Sequence, residues 1–84
     1  MGYKITISRS AEKELDRLHP VVYNRIIKKL LSLEDNPRPR GIKKLSGFEE
    51  YRLRVGDYRI LFTIDDHHHI VNVVAVGHRR EIYG

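Results

Sequence analysis

The sequence contains no cysteine and no tryptophan, and its longest uninterrupted apolar run is the segment Val73 to Val76. Without cysteine the chain has no disulfide framework, thiolate zinc site or thiol nucleophile, so a hydrophobic core has to hold it together. The apolar run is far too short to span a bilayer, and the first residues lack the apolar stretch of a secretory signal. These absences predict a cytoplasmic protein that has no contact with a membrane.

Charge is abundant, and it is predominantly positive. Lysine and arginine number 16 against 11 aspartates and glutamates, which gives a formal net charge of +5. Hydrophobic residues still make up 40% of the chain, enough for it to fold. A length of 84 residues suits one domain, so we interpret residues 1–84 as a single domain. The positive charge favours a polyanionic partner such as nucleic acid.

The first half of the sequence predicts one strand and a helical hairpin. Residues 3–8 alternate apolar and polar side chains, which is typical of a strand. Ser10 is then expected to cap a first helix. Pro20 ends that helix and begins a second one, which runs to about Asp35 with apolar residues at three-and-four spacing. The segment 36–41, with two prolines and a glycine, predicts a loop.

From Phe48 onwards the period of the apolar residues changes to two. The run that ends at Val55 and the run 58–64 flank the pair Gly56-Asp57, which predicts a β-hairpin with a two-residue turn. The run 70–76 is almost wholly apolar and predicts a central strand buried on both faces. The element order predicts an α+β fold: an N-terminal strand, a helical hairpin, then a mostly antiparallel sheet with the helices on one face.

The predicted hairpin gathers three arginines on one face of the sheet. A two-residue turn sets Val55 opposite Tyr58 and Arg54 opposite Arg59. Because side chains alternate between faces, Arg52 joins the other two arginines, away from the face that packs under the helices. Like charges directly across strands are unfavourable, so folding alone gives no reason for this arrangement. We interpret the arginines as a site for an anionic ligand; the alternative is a solvated face that pairs with nearby carboxylates.

Further reactive side chains follow the last predicted strand. They are His78, Arg79, Arg80 and Tyr83. If this segment folds back over the face of the sheet that carries the arginines, the arginines would hold phosphate oxygens. The imidazole or the phenol would then move a proton or stack on a base. This combination suits RNA phosphate chemistry. For His78 and Tyr83 the alternative is a structural role in packing against the sheet.

The consecutive histidines His67, His68 and His69 suggest a metal site at first sight. Adjacent strand residues point to opposite faces, so three in a row seldom converge on one ion. No cysteine or carboxylate cluster completes a tetrahedral set around them. We therefore predict neither a bound metal nor another cofactor.

Three segments resemble the RelE/ParE toxin superfamily, and its RelE branch more closely than its ParE branch. They are Lys43-Lys44-Leu45-Ser46-Gly47, the run from Tyr51 to Ile60, and the run from Val76 to Tyr83. Their order and spacing carry the resemblance, which covers nearly the whole chain. It implies the toxin of a type II toxin–antitoxin system: a metal-independent endoribonuclease that cuts mRNA on the ribosome and is silenced by a cognate antitoxin.

The resemblance also implies roles for individual residues. Those that match the family's catalytic set are Arg52, Arg54, Arg59, Arg79 and Tyr83. Lys43 and Lys44 match a basic patch that contacts RNA, and we expect Arg80 to contact RNA as well. The implied reaction is attack of a ribose 2′-hydroxyl on the adjacent phosphate, which gives a 2′,3′-cyclic phosphate and a free 5′-hydroxyl.

One position departs from the family pattern. Where relatives carry a lysine that has been proposed as general base, this chain has Arg54, and a guanidinium keeps its proton at neutral pH. We place His78 in that role instead, because an imidazole titrates near neutral pH and His78 directly precedes Arg79.

Two other functions stay open at this point, because one fold serves several activities. One is a ParE-like toxin that inhibits DNA gyrase and cleaves nothing. The other is a catalytically degenerate module that binds RNA or a protein partner. The remaining cations Lys28, Lys29, Arg38 and Arg40 are interpreted as a surface for ribosomal RNA if the chain is a nuclease, and as ordinary surface otherwise.

Overall fold

The computed structural model describes residues 2–45 and 50–78, and within them two helices pack on one face of a five-stranded sheet. In chain order the elements are β1 (Lys4–Ile7), α1 (Arg9–Asp16), α2 (Pro20–Ser32), β2 (Lys43–Lys44), β3 (Glu50–Val55), β4 (Tyr58–Asp65) and β5 (Ile70–His78). The strand order is β1-β5-β4-β3-β2, with β1 parallel to β5 and all other neighbours antiparallel. The predicted α+β fold is confirmed, with the short strand β2 added. Neither helix of this part of the chain is long and apolar enough to cross a membrane.

The core lies between the helices and the side of the sheet that faces them. Its buried residues include Ala11, Leu15, Ile26, Leu30, Leu53, Val55, Ile60, Phe62, Ile64, Val71, Val73 and Val76. Phe62 is fully buried and stacks on Tyr51, with the ring centroids 5.9 Å apart. Burying a side chain of this size contributes about 1.5–3 kcal/mol. The alternate residues of β3 and β4 therefore hold the helices on one face and leave the other face for polar groups.

Helix α1 begins earlier than the sequence predicts, because Ser8 rather than Ser10 is its N-cap. Ser8 Oγ accepts a hydrogen bond from the backbone N–H of Ala11 at 3.2 Å. The backbone N–H of Ser8 is itself bonded to the carbonyl of Val73, at the end of the β1–β5 ladder. The sheet thus fixes the residue that caps the helix, and the local sequence pattern does not contain that information.

Helix α2 begins at Pro20, as predicted, but ends at Ser32, short of the predicted end near Asp35. His19 caps it: its Nδ1 accepts a hydrogen bond from the backbone N–H of Val21 at 3.2 Å. Proline suits the first turn because the N–H it lacks would have no partner within the helix.

A bulge interrupts the pairing of β4 with β5. Leu61 pairs with Ala75, but the next residue, Phe62, pairs with Val73, so Val74 is skipped in the register. A one-residue insertion of this kind exchanges the faces of the residues that follow it. The two halves of β5 therefore follow opposite alternation patterns.

The bulge has its own hydrogen-bond partners. The carbonyl oxygen of Val74 accepts hydrogen bonds from Ser8 Oγ at 3.0 Å and from Ser10 Oγ at 3.4 Å. A carbonyl released from the strand ladder would otherwise lose a hydrogen bond in a partly buried position, at a cost of about 1–3 kcal/mol. The start of α1 and the bulge in β5 consequently stabilise each other.

The prediction that β5 is buried on both faces is wrong, although β5 is an interior strand of the sheet, as predicted. Strand β4 occupies the centre of the sheet, and β5 lies between β4 and β1. Val71, Val73 and Val76 are buried under the helices, whereas Asn72 and Val74 stay partly exposed. The sequence of β5 lacks alternation between apolar and polar residues because the bulge changes which residues face the helices. Burial of both faces of the strand is not the reason.

Asp66, in the turn after β4, anchors the loop that follows α2. Arg38 donates from Nη1 and Nη2 to the two carboxylate oxygens, at 3.1 and 2.8 Å, and the Tyr3 hydroxyl donates to the same group at 2.7 Å. The Arg38 guanidinium also lies 5.5 Å from the ring centroid of Tyr51. The hydrogen bonds from Arg38 and then Tyr3 lower the pKa of Asp66 to about 2. Arg38, expected on an RNA-facing surface, thus belongs to an ion pair that joins three segments.

We expect Ser8→Ala to lower the free energy of unfolding by about 1 kcal/mol or more, because it removes a helix cap and a hydrogen bond to the bulge. Ser10→Ala is the matched control, since Ser10 lies within α1 and its hydrogen bond to Val74 is longer and exposed. Urea unfolding followed by circular dichroism measures both. Equal losses from the two substitutions would contradict Ser8 as the cap.

The lowered pKa of Asp66 predicts that the folded protein loses stability in acid. An unfolded aspartate has a pKa of about 3.9, above the folded value of about 2. The ion pair therefore stabilises the fold above the unfolded pKa, and this contribution is lost as pH falls through the folded pKa. Asp66→Asn and Arg38→Gln should both flatten the change in urea midpoint across that window. Arg40→Gln, a neighbouring exposed cation, should not, and an unaltered profile in Asp66→Asn would refute the anchor.

Candidate functional site

The open face, which we define as the side of the sheet turned away from α1 and α2, carries the predicted arginines. Arg54 pairs with Arg59 across the hairpin, as the length of the turn predicts. Leu53 and Val55 are buried under the helices, so alternation places Arg52 and Arg54 on the open face. The structure therefore brings these three arginines to one side of the sheet.

Strand β2 adds one of the two predicted lysines to this face. Lys43 pairs with Arg52, so the two side chains share the open face. Lys44 pairs with Tyr51, whose ring lies in the core, so alternation directs Lys44 to the helix side. Both lysines are exposed. The structure thus joins Lys43 to the arginines and separates Lys44 from them.

On the open face, the row of paired residues that begins with Lys43 and Arg52 continues with two apolar side chains, which we call the apolar floor. Leu61 pairs with Arg52, and Ala75 pairs with Leu61. Leu61 is only 8% exposed, although it lies on the face opposite the helices. Neighbouring rows on one face of a sheet lie about 7 Å apart, so the row of Arg59 flanks this floor. Leu61 was not predicted as part of the site; its indication in the sequence is an apolar residue at a position where alternation expects a polar one.

The next row along the strands has a different character. Glu50 pairs with Thr63, and Thr63 pairs with Asn72. The Thr6 hydroxyl donates to Asn72 Oδ1 at 2.8 Å, which continues this polar row onto β1. The positive charge of the open face is therefore concentrated at the end nearest the hairpin turn.

His78 lies on the opposite side of the sheet from the arginines. It pairs with Tyr58, and the two rings meet edge to face with centroids 5.4 Å apart. Tyr58 packs against the core, which identifies this as the helix side. The bulge at Val74 is the cause, because it shifts the alternation by one residue: Gly77 instead of Val76 lies opposite Arg59, and His78 turns to the helix side. The end of β5 therefore does not deliver His78 to the arginines, contrary to the expectation from the sequence.

Three predicted site residues lie outside the described part of the chain. They are Arg79, Arg80 and Tyr83. Their roles stay predictions. The last described residues of β5 lie beside the arginines, since Gly77 pairs with Arg59.

The three histidines of the turn between β4 and β5 make separate contacts. His68 Nδ1 lies 2.8 Å from Asp65 Oδ2, and hydrogen bonds from the backbone and side chain of His68 lower the pKa of that carboxyl. His67 meets the His68 ring edge to face, and His69 stacks on Tyr3 with centroids 4.9 Å apart. In the described ranges, no three histidine, cysteine or carboxylate side chains converge as metal ligands would.

An open groove of about 490 Å³ runs beside α2 at the edge of the sheet. Its lining residues are Arg25, Lys28, Lys29, Ser32, Arg54 and Val55. Arg54 therefore borders both the groove and the open face. Its Nε donates to the carbonyl of Gly56 at 3.0 Å, which draws the side chain toward the hairpin turn. Arg25 was not predicted as part of a site, since a lone cation on a helix gives no indication of what it faces.

Comparison with known proteins identifies relatives along nearly the whole chain. The family model for the ParE toxin of the type II toxin–antitoxin system parDE matches residues 5–83. A putative RelE-like toxin protein of Escherichia coli is 32% identical over 94% of this chain and 85% of its own length. Toxin RelG of Mycobacterium tuberculosis is 30% identical over 99% of this chain and 98% of its own length.

Solved structures of RelE proteins share the fold. RelE in the archaeal RelE–RelB complex from Pyrococcus horikoshii superposes with a TM-score of 0.86 at 27% identity, covering 98% of this chain and all of that one (100%). The intact RelBE toxin–antitoxin complex of E. coli gives 0.80 at 28% identity, covering 90% of this chain and 95% of that one. With its arginine-bearing hairpin, its helical pair and these relatives, the chain belongs to the RelE/ParE superfamily, the toxins of type II toxin–antitoxin systems.

Proposed function

We propose that this protein is a metal-independent endoribonuclease that cleaves mRNA on the ribosome and so inhibits translation. The observation that carries the proposal is the register of β2, β3 and β4, which gathers Lys43, Arg52, Arg54 and Arg59 on the open face. Guanidinium groups bind phosphate oxygens through paired hydrogen bonds and stay charged at neutral pH. The similarity to a putative RelE-like toxin and to the solved structures of RelE supports the same activity.

The proposed reaction is an in-line attack of a ribose 2′-oxygen on the adjacent phosphorus. The bond from phosphorus to the 5′-oxygen of the next nucleotide breaks, the 2′-hydroxyl loses a proton and the leaving 5′-oxygen gains one. The products are a 2′,3′-cyclic phosphate and a 5′-hydroxyl, and no co-reactant is consumed. Arg54 and Arg59 bind the phosphate oxygens and stabilise the charge that develops on them. In this proposal Arg79 stabilises the negative charge that develops on the leaving oxygen, and Tyr83 orients the 2′-hydroxyl or stacks on a base.

Charge stabilisation, rather than an arginine base, carries the proposed catalysis. An arginine side chain donates hydrogen bonds and offers no acceptor, so Arg54 is assigned to phosphate binding and not to removal of the proton from the 2′-hydroxyl. His78 lies across the sheet against Tyr58, so it has no part in the proposed mechanism. Removing one preorganised charge-stabilising donor typically lowers a rate by about 10²–10³.

We also propose a cognate antitoxin as the protein partner. Both of the solved structures compared above are complexes of a RelE toxin with its antitoxin. The cations of the open face and of the groove suit a partner that brings carboxylates to them. Covering the open face would exclude RNA from the arginines.

Inhibition of DNA gyrase without RNA cleavage is the second candidate function. It is favoured by the family model that matches residues 5–83, which describes the ParE toxin. Both activities use one scaffold, so the fold does not choose between them. The arginines of the open face favour the nuclease. A nuclease has to bind phosphate groups, whereas a surface that only docks a protein does not.

Induced expression in growing cells separates these functions. We expect mapping of mRNA 5′ ends to show new cuts in phase with codons, while plasmid supercoiling stays unchanged. Relaxed plasmid without new 5′ ends would establish gyrase inhibition instead. Absence of both effects would leave only a binding module and would refute the nuclease.

Arg59→Ala tests the role of the open face in the same experiment. We expect cleavage to fall by about 10²–10³, with a melting temperature close to that of the parent, because the change relieves repulsion from Arg54 across the hairpin. Arg79→Ala should behave alike. Lys13→Ala on α1 removes an equal charge away from the face and is the control. Extensive unfolding of Arg59→Ala would mark this arginine as structural.

His78→Ala should leave cleavage near the parental rate but destabilise the fold. The edge-to-face contact with Tyr58 would be lost, and aromatic pairs are worth about 0.5–1.5 kcal/mol. Cleavage of mRNA in a translation extract and urea unfolding measure the two effects, and Lys13→Ala, at an exposed position on α1, is the control. Lost cleavage with unchanged stability would restore His78 as a catalytic residue.

A further inference from the structure

The groove beside α2 is a second basic surface, and the proposed reaction uses only one of its cations, Arg54. Its cations come from two elements, with Arg25, Lys28 and Lys29 on α2 and Arg54 on β3. Ser32 adds a hydroxyl, and Val55 adds an apolar wall. The described residues that line the groove include no carboxylate. The groove therefore has the chemistry of a site for an extended anion.

Helix geometry explains why the cations of α2 form a row. Residues three and four apart lie on one side of a helix, so Arg25, Lys29 and Ser32 follow one flank of α2, with Lys28 beside them. At 1.5 Å per residue, the row from Arg25 to Ser32 is about 10 Å long. Like charges at this spacing destabilise a helix slightly, so folding gives no reason to place them together.

Two arginines from different elements converge on the hairpin turn. Arg54 Nε donates to the carbonyl of Gly56, and a Cβ built on Gly56 would lie 3.4 Å from Arg25 Nη1. Arg54 also belongs to the row that contains Arg59. The positive charge consequently continues from the open face, around the edge of β3, into the groove.

In the part of the chain that the structure describes, the edge of β3 has no strand partner at this point. Strand β2 pairs only with Tyr51 and Arg52, so within the described residues no strand covers the stretch from Leu53 to Val55. A chain lying on the open face can pass this edge without displacing an element of the sheet. An extended ligand therefore has a continuous path from one basic surface to the other.

We propose that the groove binds the ribose–phosphate backbone of the RNA strand as it leaves the open face. The inference rests on the proposed function, since it requires RNA at the arginines. Contacts from lysine and arginine to successive phosphates add affinity through counterion release and read no base. The groove is thus a sequence-independent extension of the substrate site. Its continuity with a phosphate site favours RNA over an acidic protein segment as the occupant.

Binding to oligonucleotides of two lengths tests this inference. The probes are 2′-O-methyl oligouridylates, which have no free 2′-hydroxyl for the cleavage reaction. One has about 4 nucleotides, for the open face alone, and one has about 12, which continues into the groove. Arg25→Gln with Lys28→Gln removes two groove cations and keeps good helix formers. Lys13→Gln with Arg17→Gln removes the same charge from α1 and its C-cap and is the matched control.

We expect the groove variant to bind the long probe several-fold more weakly than the parent and the short probe equally well. The plot of log affinity against log salt should become shallower by about 1.4 for the long probe, which is 0.7 for each of two lost phosphate contacts. The control variant should match the parent with both probes, because its charges lie outside the groove.

Equal weakening for both probes, or equal weakening in the groove and control variants, would overturn the inference. So would an unchanged long-probe affinity together with weaker binding of the cognate antitoxin, which would assign the groove to an acidic protein segment. If the parent protein binds neither probe, the proposed RNA function fails and the inference with it. If the parent binds both and the groove variant matches it, only the inference fails.

Discussion

The two-residue turn at Gly56-Asp57 sets the register of β3 against β4, and this register separates the core from the charge. Gly56 has a φ of 60°, in the left-handed region that favours glycine, and a glycine at this place is typical of a type II′ hairpin turn. A slip of one residue would turn Leu53 to solvent and Arg54 into the core. Because an unpaired charge buried in the core costs several kcal/mol, apolar and charged residues enforce the same register.

This agreement between turn and pattern explains why much of the molecule could be predicted. The amphipathic spacing along α2, the helix-breaking Pro20 and the period of two in β3 and β4 are local features that the final packing does not oppose. The grouping of Arg52, Arg54 and Arg59 follows from turn length and alternation alone. These are the parts of the site that local rules determine.

Strand β5 shows where such rules fail. The run from Val73 to Val76 is apolar throughout, so its residues give no indication of where the alternation is broken. The bulge forms at Val74 because Ser8 and Ser10, far away in the sequence, satisfy its carbonyl. That contact exchanges the faces of everything after it, and the placement of His78 changes with it. The two-residue strand β2 is likewise too short to show a period, so the divergence of its two lysines appears only in the fold.

The chemistry of the open face also limits how the protein can be controlled. Guanidinium groups do not release their protons in the physiological range, so no change of pH removes the charge that would hold a phosphate. If this face binds RNA, an inhibitor has to cover it or supply a competing anion. Covering several guanidinium groups with apolar surface would cost several kcal/mol for each charge left without a partner. An effective inhibitor therefore brings carboxylates that take the place of phosphates, and the property that makes the face suitable for RNA also dictates the chemistry of the partner that blocks it.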